Sequence, residues 1–585
     1  MTTPTTTALP QEIVALVATV VKRTKLRKRE RTDIERELAA HFRDGLDAGK
    51  DASTLIDAFG DPRESALQLR AGAIAKRTPF DRALRRLLVT ALWATWAFIG
   101  LYGIGIAYLW VNKPVISFNP MIRLHESLPK VTEAERAWPI YKQALILLAD
   151  PSSRAGQSEK PFTGLTFNDY GVEGTLSMVG DANWERQCKM IAQRDAGLEL
   201  LSVASKKPAL GYMPHYQPKV EDAEIFPYDE SIASKTPPEF PMFAVQLPQL
   251  DHFRSAARLL ASDSLHALEQ DDGARFVRDI SAMIAMSMHT SEDQTLISQL
   301  VASAMRTIAC ERIVMAIEWK PQSLKDEQLV LLASRLRSIP DAAFQVELSI
   351  ELLMLQDMLQ RTYSDDGHGD GYFNAAYGAH LISSLESMSS IESNDFGPSA
   401  KTMGVLLSPI GAALMATRKE TIDMCEALYD KSERQSKLPL WQQDFGYEQE
   451  FSQLVTQDAV RKWLIPRLLM PVVGRAVAVC RRAEGHSIAA QTAIALEQFR
   501  RAHAGSWPTA INELVPTYLG SAPADPYTGK PIGYTLADGH PLVWSIGDKK
   551  FDEFGNIVQS RSERVDWIWF KGDDGLKRWN PKPSE

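Results

Sequence analysis

Cysteine is scarce in this sequence: Cys188, Cys310, Cys425 and Cys480 are the four among 585 residues, and none stands in a CxxC pair. That spacing argues against a disulfide framework and against metal binding, and the apolar or amphipathic helical setting of each favours a buried free thiol. Catalytic signatures are missing too. No P-loop, HExxH, GxSxG or SxxK pattern stands in a context that fits it. His252 and His266 lie fourteen apart with no acidic helper at a metal-ligand spacing, which predicts structural histidines. A cleavable leader is also lacking: the apolar run Ile13–Val21 is short, follows acidic Glu12, and has its basic cluster on the wrong side. No fixed 34- or 40-residue repeat register is found, so a named repeat class is not supported.

The most informative lack is of charge. Leu87–Val111, 25 residues, contains no Asp, Glu, Lys or Arg. As a helix it extends about 37 Å at 1.5 Å per residue, enough to cross a hydrocarbon layer of about 30 Å. Trp93, Trp96, Tyr108 and Trp110 supply aromatics of the kind that sit at membrane interfaces. Charge elsewhere is unevenly shared. Residues 1–86 carry 17 Lys and Arg against 12 Asp and Glu, a net +5, which leaves −13 of the total −8 for the remainder. Arg70, Lys76, Arg77, Arg82, Arg85 and Arg86 precede the span, whereas Lys113, Arg123 and Lys130 follow it. Positive residues stay on the cytoplasmic side, so the expected topology is an uncleaved signal anchor in the inner membrane, N-terminus in the cytoplasm and the remainder exported. The basic run Lys22–Arg31 reads as a solvated face drawn to the inner leaflet, and no nucleic-acid partner is expected.

Composition is ordinary for folded protein, 45% hydrophobic and 24% charged, so long folded regions are expected with disorder confined to the ends. Residues 11–75 read as short amphipathic helices. Thr32 with Glu35 reads as a capping box opening a helix with an apolar face of Ile34, Leu38, Phe42 and Leu46. Asp51 caps the next helix, and Gly60-Asp61-Pro62 with Glu64 stops one helix and starts another. These residues, with Glu35-Arg36-Glu37-Leu38 and Ala58-Phe59-Gly60-Asp61-Pro62 as the strongest elements, resemble the HAAS helical signalling domains. Those domains accompany PadR-type transcription regulators in bacteria and often precede membrane spans. The resemblance covers about 65 residues and implies a cytoplasmic regulatory partner.

Beyond the span, Thr132 with Glu135 reads as the cap of a helix that includes Ala137-Trp138-Pro139-Ile140-Tyr141. Leu259–Ala267 and Phe276–Met288 form a helix hairpin about Asp271-Asp272-Gly273. The aromatic loop Lys206–Pro248 is expected to wrap the helical body. In Ser364–Phe373, Asp366, His368, Asp370 and Gly371 match the first calcium-loop positions, but Tyr377 stands where the closing Glu belongs, so a Gly-rich turn is the better reading.

Near the C-terminus a helix through Ala489, Ala493, Leu496 and Phe499 leads to Gly505-Ser506-Trp507-Pro508 and Asp525-Pro526-Tyr527-Thr528-Gly529. Strand-like Ile532–Leu536 and Leu542–Ser545 follow about an Asp538-Gly539 turn, with Asp566-Trp567-Ile568-Trp569 as a last strand. Over about 80 residues this arrangement resembles the soluble head of the type II secretion major pseudopilin. The departure is its place, near residue 500 behind an unrelated anchor. Pro466, Arg467, Pro471 and Arg475 make Leu464–Cys480 a poor membrane stem. The resemblance implies a calcium loop with Asp548, Asp552, Glu553 and Asn556 as oxygen donors. Lys549-Lys550 replaces the usual Asp-Gly step, and two ammonium groups oppose a divalent cation, so calcium is the one cofactor in view and weak binding or none is expected.

The expected fold is mainly α. It comprises a disordered start (1–10), a small cytoplasmic helical bundle (11–75), one transmembrane helix (87–111), a large exported solenoid-like helical domain (112–456), a C-terminal α+β pseudopilin-like domain (457–575) and a tail (576–585). Three function classes follow: a non-enzymatic membrane protein that binds an envelope partner and signals to a cytoplasmic regulator, a structural component of a secretion or pilus-like assembly, and an exported hydrolase. The first is preferred.

Overall fold

The computed structural model describes residues 9–77, 79–149, 179–181, 183–216, 219–226, 241–378, 398–443, 462–545 and 567–571. The chain is mainly helical and divides into two compact units, Met1–Gly105 and Ile106–Glu585.

In the first unit, α1 (Gln11–Thr24) packs against both α2 (Lys28–Asp47) and α4 (Pro62–Ala75), with α3 (Ala52–Phe59) between them in sequence. Ile13, Val17, Val20 and Val21 recur at helical spacing on α1 and bury against Ile34, Leu38 and Phe42 of α2 and Ala66 of α4. The expected start of α2 is corrected. The helix opens four residues before Thr32, whose hydroxyl instead donates to the Lys28 carbonyl at 3.0 Å within the helix. The side chain that reaches back is Glu30, which accepts the Arg27 N–H at 3.0 Å and a two-toothed contact from Arg77 at 2.8 and 2.9 Å. Asp51 caps α3 by accepting from Thr54 N. At Gly60, φ is 79° and ψ is −161°, a conformation essentially reserved for glycine; Asp61 then accepts from Arg63 N and Pro62 occupies the first turn of α4.

Helix α5 (Pro79–Val111) includes Ala83–Val111, 29 residues long and apolar enough to cross a membrane, with none of its most apolar window buried. Leu87, Trp93, Trp96, Leu101 and Trp110 are all exposed.

The second unit opens with α6 (Pro120–Ser127). Thr132 N donates to Glu135 at 2.9 Å, but this closes only a single 3-10 turn, Glu133–Glu135, and α7 (Trp138–Leu148) begins separately. α8 (Trp184–Ala192) and α9 (Asp195–Ala204) follow, with α9 against α7. The described parts of the aromatic loop lie against the body: Tyr212, Tyr216 and Phe226 are buried, and Phe226 stacks on Trp138 with ring centroids 5.7 Å apart. Tyr228 and Phe240 lie outside the described residues.

α10 (Gln249–Glu269) and α11 (Gly273–Thr290) form the hairpin, with Asp272 accepting from Arg275 N at 3.0 Å. Asp263 is fully buried between the helices, where Arg275 and Arg278 both reach it. Burial and the neighbouring Asp263 carboxylate push Asp279 well above the usual range. α12 (Leu296–Trp319), α13 (Asp326–Arg337), α14 (Ser349–Thr362), α15 (Pro398–Leu414), α16 (Arg418–Lys437) and α17 (Leu464–Ala502) are the remaining α-helices among the described residues. α17 packs along α12, its Ala483, Ala489, Ala490 and Ala493 letting the backbones approach closely.

After α17 comes a three-stranded antiparallel sheet, β1 (Gly533–Ala537), β2 (His540–Ser545) and β3 (Trp567–Lys571), in that order. Asp538 and Gly539, both at positive φ, make the two-residue hairpin turn that their sequence predicts. Val543, Trp569 and Phe570 join the same buried core as α7, α10, α11 and α12, so packing is continuous from the helices into the sheet. All four cysteines are free and buried.

Candidate functional site

One groove belongs to the first unit. α1 holds α2 and α4 apart, leaving a groove of 990 Å³ between them, floored by Leu38, Phe59 and Leu69 and rimmed by Asp33, Glu37 and Lys76. The Glu30–Arg77 pair fixes one wall, and the Arg77 hydrogen bonds hold the Glu30 carboxyl below its usual range. An apolar floor with both signs of charge on its rim suits an amphipathic segment of another protein.

A second cleft, 330 Å³, lies in the second unit between the end of α11 and α13, with Lys207, Ser281, His289, Glu292 and Arg335 among its lining. A carbonyl only accepts, so His289 Nε2 carries a proton and donates to the Lys207 carbonyl at 3.0 Å, while Nδ1 accepts from the Tyr141 hydroxyl at 3.0 Å. Glu292 accepts from Leu210 N at 2.8 Å, and burial raises its carboxyl to about 7. These bonds clasp the segment 207–211 to the end of α11. His289 and Glu292 are engaged in these bonds while the buried Ser281 hydroxyl is not, so the cleft reads mainly as a structural joint with one carboxyl raised toward neutrality.

A third group was invisible to pairwise motif reading. Cys188, His266 and Glu269 place a sulfur, an imidazole nitrogen and a carboxylate oxygen within 4.8 Å of one another. The expectation that His266 lacks an acidic helper is thereby corrected, since Glu269 stands three residues on along the same helix and its carboxylate is 3.5 Å from Nδ1. The readable signal was H-x-x-E on one helical face; Cys188 comes from α8, far away in sequence. Glu269 also accepts the Trp184 indole N–H at 3.0 Å, and burial pushes the Cys188 thiol up to about 11. A cation there must displace a proton from sulfur and compete with the indole. The chemistry favours a closed polar contact between α8 and α10.

At the calcium-like turn, Asp366 accepts from His368 N at 2.7 Å and Asp370 N at 3.1 Å, and Asp370 accepts from Lys419 N at 2.9 Å at the start of α16. These carboxylates organise a glycine-rich turn and join it to a helix. The other calcium candidates, Asp548, Asp552, Glu553 and Asn556, lie outside the described residues. The preceding Asp525–Gly529 turn is described, and is closed by Gly529 N donating to the Asp525 carbonyl at 2.8 Å.

No protein family, curated protein or solved structure matches the chain.

Proposed function

We propose that the chain is a single-pass membrane protein that acts by binding: α5 anchors it, the four-helix unit receives a cytoplasmic regulatory protein in the α2–α4 groove, and the larger unit meets a partner in the cell envelope. The observation that carries this reading is α5 itself. A core helix of a soluble protein hides its apolar side chains, whereas Trp93 is 71% exposed and Leu101 is 70% exposed, which a lipid environment makes favourable. The excess of basic residues before the helix supports a cytoplasmic N-terminus. The four short helices and the Gly60-Asp61-Pro62 turn are consistent with the likeness to HAAS domains, and the helix, turn and antiparallel sheet with a pseudopilin-like fold for the C-terminal part.

Alkaline carbonate extraction of membranes tests the anchor. The full chain stays with the membrane and a variant lacking residues 83–111 leaves it; release of the full chain by carbonate alone overturns the reading. A photoreactive residue at Gln68, on the groove, tests the partner: a discrete cytoplasmic adduct, competed away by the purified partner, is expected.

A further inference from the structure

The reversed polarity of α15 sets it apart within the second unit. Residues 402–417 contain no charged side chain. One stripe of its small residues faces inward: Gly404 and Ser408 are buried, and a Cβ added at Gly404 would lie 2.9 Å from the Ala376 Cα, one at Gly411 3.0 Å from the Phe373 ring. Its large ones face out, with Val405, Leu407, Ile410 and Leu414 all between 43% and 46% exposed. A helix in contact with water has the opposite arrangement. The stretch is too short to span a bilayer, and exposure excludes a core helix; its outward apolar face suits a helix lying at the membrane interface.

The position of α15 agrees. Asn374 is buried, and its amide donates to the Leu109 carbonyl at 3.2 Å, satisfying a carbonyl in the last turn of α5 that has no partner further along the helix. The Asn374 side-chain oxygen accepts from the Ser408 hydroxyl of α15 at 3.1 Å. One side chain therefore ties the end of the span to α15, and Tyr108 packs edge-on to Tyr372 beside it, centroids 6.2 Å apart. Between the two helices opens a cleft of 420 Å³ walled by Ile106, Leu109, Trp110, Ala376, Tyr377 and Val405.

We infer that α15 is a second membrane contact, lying along the bilayer surface at the end of α5 with Leu407, Ile410 and Leu414 in lipid, and that the cleft beside it takes a lipid acyl chain. The inference rests on α5 being the membrane span. The occupant is the bilayer because the exposed face continues from the exposed last turn of α5, including Trp110, within one compact unit.

The test uses the full chain in vesicles of phosphatidylethanolamine and phosphatidylglycerol, with an environment-sensitive fluorophore on one introduced cysteine at a time. The four native thiols are buried. Probes go at Leu407, at Leu101 in α5, and at Val330, an exposed position on α13. The Leu407 probe is expected to lose most of its emission to a nitroxide near the lipid headgroup and little to aqueous iodide, the Leu101 probe to a nitroxide deep in the acyl chain, and the Val330 probe to iodide alone. Iodide quenching at Leu407 overturns the inference while a deeply quenched Leu101 keeps the span. Failure at Leu101 removes the span reading itself. A Leu407 probe reached by neither quencher means that protein, a partner or a second copy, covers the face, and the inference falls. Replacing Leu407 and Ile410 with Glu, at exposed positions where folding is undisturbed, is expected to shift a Leu414 probe to iodide sensitivity at unchanged melting temperature; a Leu414 probe that stays lipid-quenched contradicts the seating.

Discussion

α5 and α10 are both long helices rich in apolar residues, yet they solve opposite problems. α10 buries nearly its whole circumference, including the polar Ser262, Asp263 and Ser264, and each of these finds a partner: Ser264 the Ala261 carbonyl of its own helix, Ser262 the Gln187 amide of α8, and Asp263 the arginines of α11. α5 buries almost nothing along Ala83–Val111 and carries no charge after Arg86. Hydrophobic content alone therefore does not separate a core helix from a lipid helix. What separates them is whether polar residues interrupt the apolar surface: α10 tolerates Asp263 because Arg275 and Arg278 reach it, and a lipid-facing helix has no such donors.

That contrast is open to breaking. Leu260, fully buried on α10, replaced by Ala should cost about 2–5 kcal/mol, whereas Leu101→Ala on α5 should leave denaturant unfolding in detergent nearly unchanged. Equal losses would abolish the distinction. Asp263→Asn should cost about 3 kcal/mol, toward the low end for breaking a buried ion pair because Arg278 keeps Asp279 as a partner. Thermal unfolding measures it, and a neutral result would mean the Asp263 cluster is not what makes a polar α10 tolerable.

The long apolar helix was readable because an absence of charge over 25 residues is a local property. The turn at Gly60 and the Asp538-Gly539 hairpin were readable for the same reason, each being set by backbone conformations that few residues adopt. The true start of α2 was not, because the Glu30 that caps it is held by Arg77, 47 residues later. Nor was the Cys188–His266–Glu269 group, assembled from two helices, or the outward apolar face of α15. Sequence spacing shows both of its stripes, small and large, but the contact of Gly404 with Ala376 decides which one turns inward.

The first unit extends the comparison to a site where backbone rather than side chain decides. Gly60→Val should destabilise it by roughly 1–3 kcal/mol, since a β-branched residue is excluded from that conformation. An unchanged unfolding profile would show that the turn is built otherwise.

The smallest expected effect is pH dependence at the clasp. The Glu292 carboxyl is raised on folding from an ordinary 4.5 to about 7, so its contribution is fully present below pH 4.5 and is lost as pH rises through about 7. Glu292→Gln should flatten the fall in melting temperature across that window. An identical slope in wild type and variant would assign the titration to another group.

The central claim is that one helix separates a cytoplasmic unit from an exported one, and reporter fusions test it most directly. Alkaline phosphatase fused after Lys130 is predicted to be active, and a fluorescent protein fused before Arg85 to fluoresce. Inactive phosphatase beyond Lys130, with phosphatase activity when the enzyme is fused before Arg85, would contradict the account.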